Sequence, residues 1–494
     1  MSADAALRLS TNTGMILVGR LCKMALSFGF VLYVAALLGV RGFGQYTLAV
    51  HYFELFLSLT ATATGILLTR EIARARMKLK DETLDTSAHS RGVATELVWH
   101  SMALVLGLSV IAVVLMAVLC RVFGYGPETS NASMVASLAL FPASIAVVLE
   151  AVFVGLEAAQ HVAWGTALES VLRIALSCLA LMLGYGLISL FVVLIFTRLL
   201  LMIYYAWAVR AHASWRPAFH AGRFRQFASE WRVFAAENWM ATIYTSLDVV
   251  ILSIFHGEAA VGIYSAAWKI VRLGSVAAKS YTTAVFPVLA RLHHESRERF
   301  QSLSRDTIRF MLAIALPGVV VVSVLTERIV GLLFTDEYAA AVPVLRVLIW
   351  VLLLEFLNPF LSHTLFARGL QLRSMQVAGV SLVVNLVATL LLVVQWEAWG
   401  AAVGTLLGGG VACVFYCIYA LSSDEAFEYA TITLRVTLAA ICLTGVLYLF
   451  RSQTWLWLGM WGAVSYAGLL VALRVVTPHD FRFIHRFWHS RVGA

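Results

Sequence analysis

The sequence GVRGFGQYTLA at residues 39–49 joins an apolar run at 14–37 to a second apolar run at 44–68. Each run holds at least the roughly 20 residues that a helix needs to cross a bilayer. Gly39 favours the end of one helix, and the short segment after it leaves room for a tight turn before the next helix. This stretch therefore predicts two membrane-spanning helices joined at one face of the membrane.

The same kind of pattern continues along the whole chain. Of the 494 residues, 61% are hydrophobic and 13% are charged, whereas soluble domains have roughly 45 to 50% apolar and about 25% charged residues. This composition excludes a water-soluble protein. It predicts an all-α polytopic membrane protein with about 14 transmembrane helices. The predicted spans are 14–37, 44–68, 97–119, 132–156, 163–185, 187–208, 233–255, 260–287, 308–333, 341–365, 374–395, 398–421, 432–450 and 453–476.

Lysine and arginine residues are distributed unevenly between the predicted loops. With the N-terminus inside, the inner loops hold 22 of them, and the outer loops hold only Arg41, Arg121 and Arg451. Because positive residues concentrate in cytoplasmic loops, we expect both termini to be cytoplasmic. The same bias accounts for the formal net charge of +9, so the sequence does not call for a nucleic-acid partner. The outer loops are short, which argues against a transferase with an extracellular catalytic domain.

The turn at 39–49 has a counterpart 218 residues later, where residues 257–267 read GEAAVGIYSAA. Four of the eleven positions are identical, and both segments lie between predicted spans. The same offset aligns His51 with Lys269 and Glu54 with Arg272. Chance recurrence of Gly-x-Tyr is the alternative, but the aligned ionisable pairs favour a repeat. A repeat of this spacing predicts two six-helix bundles of parallel topology, with the substrate path between them.

The repeat also predicts the domain boundaries. We expect the repeated tyrosines, Tyr46 and Tyr264, to lie at the membrane interface. The predicted domains are an N-terminal six-helix bundle at 1–208, a basic cytoplasmic linker at 209–232, a C-terminal six-helix bundle at 233–421, an additional helix pair at 422–476 and a basic-aromatic cytoplasmic tail at 477–494.

Several cations lie inside the predicted spans, where each costs roughly 2.5 to 3.5 kcal/mol at a helix centre. They need carboxylate partners, water or an anionic substrate. Three of them follow one stripe of the span at 260–287, which cannot face lipid on that side. For those near a predicted span end, snorkelling to the interface is an equal alternative. The cations are Arg20, Lys23, Arg198, Lys269, Arg272 and Lys279.

Carboxylates inside the spans are candidates for coupling transport to an ion. A carboxylate in low dielectric has a raised affinity for a proton, and it can also bind a sodium ion. Asp248, Glu54 and Glu237 are the candidates, and for Asp248 an ion pair with a cation of the 260–287 span is an equal alternative. Glu169 and Arg173, four residues apart, predict an internal ion pair with a mainly structural role. No catalytic triad, phosphate loop or metal-ligand cluster stands out, so we expect neither an enzyme nor a bound cofactor.

The order of these motifs resembles a known family. Leu38-Gly39, FGQYTLA at 43–49 and REIA at 70–73 are similar to the opening of bacterial polysaccharide flippases of O-antigen type, within the multidrug/oligosaccharidyl-lipid/polysaccharide exporter superfamily. The second half is similar as well, through Asp248, VGIYSAA at 261–267, Pro287, Asn385 and GAA at 400–402. Each motif is loose, and the resemblance rests on their order along the chain.

The resemblance implies a flippase that moves polyprenyl-diphosphate-linked oligosaccharides from the inner to the outer leaflet of the bacterial inner membrane. It implies alternating access with proton or sodium antiport, a role in cell-surface polysaccharide biosynthesis, and glycosyltransferases or a polysaccharide polymerase as partners besides membrane lipids. The cations within the spans would then bind the diphosphate, because two negative charges match a cation-lined cavity.

Other functions stay open at this point. A multidrug cation antiporter of the same superfamily would need an acidic cavity, whereas the ionisable spans are basic. A flippase for peptidoglycan precursors differs only in its cargo, and the sequence hardly separates it. A membrane-embedded transferase predicts carboxylate or histidine clusters at the mouth of a span and a sizeable outer loop, and the sequence shows neither. A scaffold for polysaccharide synthesis stays open, although it does not need the cations within the spans.

Overall fold

The structure is a computed structural model that describes residues 3–81, 86–211, 220–421, 423–450, 453–473 and 475. Side chains are described from residue 24 onward, apart from those at 76–94, 211, 221, 233, 237, 241, 244, 423–427, 455 and 456. Within these ranges the regular structure is helical throughout. The α-helices are α1 (Ala3–Leu57), α2 (Ala63–Asp81), α3 (Thr86–Val122), α4 (Pro127–Leu138), α5 (Leu140–Gly155), α6 (Ala159–Met182), α7 (Gly186–Ala208), α8 (Ala221–Glu295), α9 (Arg297–Val324), α10 (Thr326–Leu333), α11 (Ala341–Ala367), α12 (Gln371–Ala420), α13 (Ser423–Leu449) and α14 (Trp455–Ala472).

Ten helices in the described ranges are long and apolar enough to cross a membrane, which confirms an all-α polytopic protein. Three of these segments, Met24–Ala75, Thr245–Glu295 and Gln371–Ala420, have 50 to 52 residues. A straight helix of that length would measure about 75 Å, more than twice the hydrocarbon thickness. Each is interrupted by non-helical backbone, at Gly39 (φ 65°), at Gly257 (φ 73°) and at Trp396 with Glu397. The interruptions fall where the sequence predicts separate spans.

Two predicted spans differ from the observed helices. The prediction of one span at 308–333 is wrong, because α9 already begins at Arg297 and ends before a separate short helix, α10. Ser296 caps α9 by accepting a hydrogen bond from the backbone N–H of Arg299 at 3.4 Å. This cap stabilises the first turns of α9, whose polar residues lie before the predicted apolar span. The predicted span at 132–156 corresponds to one apolar segment, Pro127–Gly155, in which a single turn residue, Ala139, separates α4 from α5.

The chain divides into two compact units. One consists of Ala25–Gly262, and the other of Met1–Met24 with Ile263–Ala494. In the first unit the beginning of α8 packs through Phe227, Trp231 and Ala235 against Ala63 and Leu67 of α2. The predicted boundaries at 209–232 stay a prediction, and the predicted tail at 477–494 lies outside the described residues.

The second unit contains a tightly packed hairpin formed by the two halves of α12. Gly400, Gly404 and Gly408 lie four residues apart and face the first half, and a Cβ atom on Gly404 would lie 2.2 Å from Thr389 Oγ1. Ser381 Oγ donates a hydrogen bond to the backbone oxygen of Gly408 at 2.8 Å. Such close approach of helix backbones is typical of small residues at helix interfaces in membranes.

Tyr264, predicted to lie at the depth of the membrane interface, is enclosed by the protein, and its depth in the membrane stays a prediction. It is fully buried within the second unit. Its hydroxyl lies 3.2 Å from Thr405 Oγ1, and this group donates in turn to the backbone oxygen of Ala401 at 2.9 Å. The hydroxyl of Tyr264 is therefore the donor to Thr405, and this bond explains why a tyrosine is accommodated in the interior.

Candidate functional site

The two copies of the repeated turn contact each other inside the unit Ala25–Gly262. A Cβ atom on Gly44 would lie 1.7 Å from the backbone oxygen of Glu258, and one on Gly262 would lie 2.2 Å from the backbone oxygen of Val40. These contacts are reciprocal, because the 218-residue offset relates Gly44 to Gly262 and Val40 to Glu258. Neither position has room for a side chain, so glycine is required at both. The repeat seen in the sequence is thus also a repeat of contacts.

The Glu258 side chain ties this pair of turns to the start of α4. Thr129 Oγ1 donates a hydrogen bond to Glu258 Oε1 at 2.7 Å. On the other side of the carboxylate, Arg41 Nε lies 3.9 Å from Glu258 Oε2. Gln45 Nε2 adds a hydrogen bond to Glu128 Oε2 at 3.3 Å. These contacts link the Gly39 turn, the Gly257 turn and α4 in one polar cluster.

Three hydroxyl groups near the same turns form a hydrogen-bonded chain. The Tyr125 hydroxyl is 2.7 Å from the Tyr52 hydroxyl and 2.6 Å from Ser253 Oγ. Since Ser253 Oγ donates to the backbone oxygen of Val250 at 2.7 Å, it accepts from Tyr125, which then accepts from Tyr52. Burial raises the pKa of Tyr125, and this keeps its hydroxyl protonated. The chain connects α1, the α3–α4 loop and α8.

A single π-helical turn at Ser58–Thr62 joins α1 to α2, and it also contacts α8. Wider helical turns free backbone carbonyl groups from their usual partners, and they are frequent at functional sites. Here Asn238 Nδ2 donates to the backbone oxygen of Ser58 at 2.9 Å, and Trp239 Nε1 donates to that of Leu59 at 2.8 Å. Ser58 Oγ also lies 2.7 Å from Thr242 Oγ1. The first part of α8 is therefore hydrogen-bonded to the π-turn.

Three charged side chains meet between α6 and α7 in the same unit. Glu169 is buried, with Oε1 3.6 Å from Arg173 Nε and 3.8 Å from Arg198 Nε. The predicted ion pair of Glu169 with Arg173 is thus confirmed. Arg198, predicted to bind diphosphate, shares this carboxylate, and Glu54 and Glu150 add negative potential at its guanidinium.

The cations predicted on the span at 260–287 lie in the second unit. Arg272 and Lys279 are exposed and Lys269 is half-buried. Gly274, on the opposite side of the helix, packs against α11, where a Cβ atom would lie 2.7 Å from Leu352 Cδ1. The three cations therefore occupy the face of α8 that is turned away from α11.

For the remaining predicted site residues the structure gives either the burial of the side chain or no description of it. Asp248 is buried in the first unit, at 6% exposure, and Glu54 is exposed on α1. The side chains of Arg20, Lys23 and Glu237 lie outside the described residues. The diphosphate-binding and ion-coupling assignments of all these residues stay predictions.

Sequence reasoning missed two buried oxygen atoms in the α12 hairpin. Asn385 Oδ1 and Thr389 Oγ1 are one helical turn apart, and neither has a hydrogen-bond partner among the described residues. Buried polar atoms are nearly always hydrogen-bonded, and these two lie where the halves of α12 approach closely, with Gly404 against Thr389 and Gly408 against Asn385. The signal in the sequence was an Asn and a Thr at i and i+4 within an otherwise apolar span.

An apolar cavity of about 500 Å³ lies within the second unit, between α9, α11, the second half of α12 and α13. Leu312 and Leu316 of α9, Leu357 of α11 and Ile441 of α13 contribute to its walls. Cys413 and Cys417 line it on α12. A space of this size and composition suits a hydrocarbon chain.

Two family models match the chain. The model described as polysaccharide biosynthesis protein matches residues 9–293, which is more than half of the sequence. A second model, MatE, matches residues 234–391. The first match contains both copies of the repeated turn and the residues of the hydroxyl chain.

Individual relatives are more distant. The chain is 25% identical over 212 residues to the probable low-salt glycan biosynthesis flippase Agl15 of Haloferax volcanii, which covers 42% of this chain and 44% of that protein. It is 24% identical over 183 residues to the capsular polysaccharide biosynthesis protein CapF of Staphylococcus aureus, which covers 37% and 46%. The matched part of the chain thus spans less than half the length of either relative.

Among solved structures, the chain is similar to the lipid II flippase MurJ in an inward closed conformation. The TM-score is 0.72 at 14% sequence identity, over 93% of this chain and 99% of that chain. At this identity the likeness shows a shared fold.

Proposed function

The chain belongs to the polysaccharide biosynthesis protein family, and from this premise we propose that it is a flippase for polyprenyl-diphosphate-linked oligosaccharides. It moves them from the inner to the outer leaflet of the bacterial inner membrane, with both termini in the cytoplasm. The glycan then enters cell-surface polysaccharide biosynthesis, in company with the glycosyltransferases and the polymerase that make and use it. The names of the flippase relatives support this cargo class.

The observation that carries the proposal is the row of cations on the second half of α8. Lys269, Arg272 and Lys279 lie on one face of a helix that is long and apolar enough to span the membrane. Facing lipid, that many charges would cancel most of the apolar gain of the span, at roughly 2.5 to 3.5 kcal/mol each. A hydrated cavity that receives a diphosphate removes this penalty, because charge-assisted hydrogen bonds to phosphate oxygens compensate the cations.

The apolar cavity supports the same cargo. A polyprenyl chain is a long hydrocarbon, and the walls formed by α9, α11, α12 and α13 are almost entirely apolar. The polar head group would bind at the cations while the tail lies in this cavity or in the bilayer. Cationic drugs would gain nothing from a basic binding face.

Coupling to a proton or sodium ion is part of the proposal. Asp248, Glu54 and Glu237 are candidates by sequence, and burial of Asp248 at membrane depth suits a carboxylate that exchanges an ion.

The test is a translocation assay with the purified full-length protein in liposomes. A fluorescent polyprenyl-diphosphate oligosaccharide is placed in one leaflet, and its arrival in the other is followed by a membrane-impermeant quencher. We expect the protein to accelerate this exchange and to leave a polyprenyl-linked peptidoglycan precursor and a cationic dye unmoved. Exchange equal to that of protein-free liposomes would refute the flippase assignment, and faster movement of the precursor or the dye would reassign the cargo.

A further inference from the structure

A second, polar cavity is lined by other residues of α9 and α13 than the apolar one. Its volume is about 120 Å³. It is formed by residues 305–309 of α9, by α13 and by Val475, which follows α14. Its lining residues are Arg305, Asp306, Arg309, Ile432, Arg435 and Val475.

Three arginines meet there, and two of them have a carboxylate partner. Arg305 pairs with Glu428 at 2.5 Å, and Arg309 pairs with Asp306 at 3.2 Å. Arg435 makes no ion pair or hydrogen bond with any residue that the structure describes. In these pairs the arginines meet two carboxylates, Glu428 and Asp306.

The position along the helices sets the depth of these charges. The ion pair of Arg305 with Glu428 fixes the two helices at one level. From there Arg309 lies one turn, about 6 Å, further along α9, and Arg435 lies two turns, about 10 Å, further along α13. By the positive-inside rule both helices begin at the cytoplasmic face, so the cavity extends from the inner interface toward the hydrocarbon.

We propose that this cavity binds the phosphate of an anionic phospholipid of the inner leaflet, of the phosphatidylglycerol class. The guanidinium of Arg435 would take the phosphate oxygens, and Arg309 would add a second donor while it keeps Asp306. A lipid suits the site better than a soluble phosphate, because Ile432 and the buried Val475 give it apolar walls toward the membrane. Basic pockets between transmembrane helices at the cytoplasmic side are typical sites for anionic head groups. The bound lipid would fasten α13 to α9, and this proposal does not depend on the cargo of the flippase.

Native mass spectrometry of the full-length protein tests the site. The protein is delipidated in detergent and titrated with phosphatidylglycerol or with phosphatidylcholine. We expect the tightest phosphatidylglycerol molecule to bind at least tenfold more weakly to Arg435→Gln, with no change for phosphatidylcholine. Arg297→Gln is the matched control, because this exposed arginine lies on α9 eight residues before Arg305. If Arg435→Gln fails to fold, Arg435→Lys replaces it. We expect Arg435→Lys to bind phosphatidylglycerol more weakly than wild type and Arg297→Gln do.

Three results would overturn the proposal. The first is equal phosphatidylglycerol binding by wild type, Arg435→Gln and Arg297→Gln. The second is displacement of the lipid by an equal concentration of glycerol phosphate, which would assign the site to a soluble phosphate. The third is an equal loss of phosphatidylglycerol binding in Arg297→Gln and Arg435→Gln, which would mean that the lipid responds to any positive charge on this part of the protein.

Discussion

Replacing Gly44 by alanine tests whether the two repeated turns are held together by backbone contact. The new Cβ atom would lie 1.7 Å from the backbone oxygen of Glu258 and 2.6 Å from its carbonyl carbon. Non-bonded carbon and oxygen atoms stay apart by more than about 3 Å, so the turns must separate by roughly 1.5 Å. Forcing an extra methyl group into such a packed contact typically costs about 1 to 3 kcal/mol.

The expected cost follows from this overpacking. At the middle of that range, the joined state loses about 2 kcal/mol relative to the separated one. Because 1.4 kcal/mol corresponds to a factor of ten, the separated state gains roughly 30-fold in population. Residues next to the Gly257 turn should therefore be exposed to solvent more often.

Cysteine labelling measures this exposure. In a chain without its six native cysteines, Ala260→Cys places a thiol at a position with 5% exposure. A maleimide should label it roughly 30-fold faster in Gly44→Ala, since labelling of a buried group follows the open population. Gly29→Ala is the control, because a Cβ atom there meets nothing within 4 Å. Equal labelling rates in Gly44→Ala and Gly29→Ala would refute the reasoning.

Three further substitutions test the polar contacts by thermal unfolding in detergent. Glu169→Gln leaves its two arginines without their shared carboxylate and should cost about 2 to 3 kcal/mol, while an unchanged stability would contradict the ion-pair geometry. Asn238→Ala removes the donor to the π-turn at Ser58 and should cost about 1 to 2 kcal/mol, whereas Thr245→Ala at an exposed position of the same helix should cost less than about 0.5. Tyr125→Phe should cost about 1 to 3 kcal/mol of stability below pH 10, which is about the pKa of an unfolded tyrosine, and less above it. Burial raises the pKa of Tyr125, so the stability that its neutral hydroxyl contributes is lost as the pH rises above the unfolded pKa. A cost that grows above pH 10 would contradict this sign.

Much of the fold could be predicted from the sequence, since apolar runs, charge bias and glycines report directly on membrane insertion. The interruptions at Gly39 and Gly257 were predicted because only glycine adopts positive φ without strain. The division between α9 and α10 was missed, because both helices are apolar across the break and a short apolar run does not reveal its own end. The burial of Tyr264 was missed because its partner, Thr405, is 141 residues away.

The candidate site was harder to predict than the fold. The sequence identifies which spans carry ionisable residues, but it does not show on which neighbour each of them packs. Arg198 illustrates this, because its carboxylate partner, Glu169, comes from a different helix. The contacts of Asn238 and Trp239 depend on carbonyl groups freed by a π-turn, and no residue pattern marks such a turn.

The measurement that tests the central claim most directly is translocation by variants of the α8 cations. Lys269→Gln and Arg272→Gln are reconstituted beside Lys269→Arg, which keeps the charge, and Arg299→Gln, an exposed arginine at the start of α9. If these cations hold the diphosphate, both variants at the site lose at least tenfold in initial rate for a polyprenyl-diphosphate oligosaccharide, and the other two retain it. Wild-type rates in folded Lys269→Gln and Arg272→Gln protein would contradict the account.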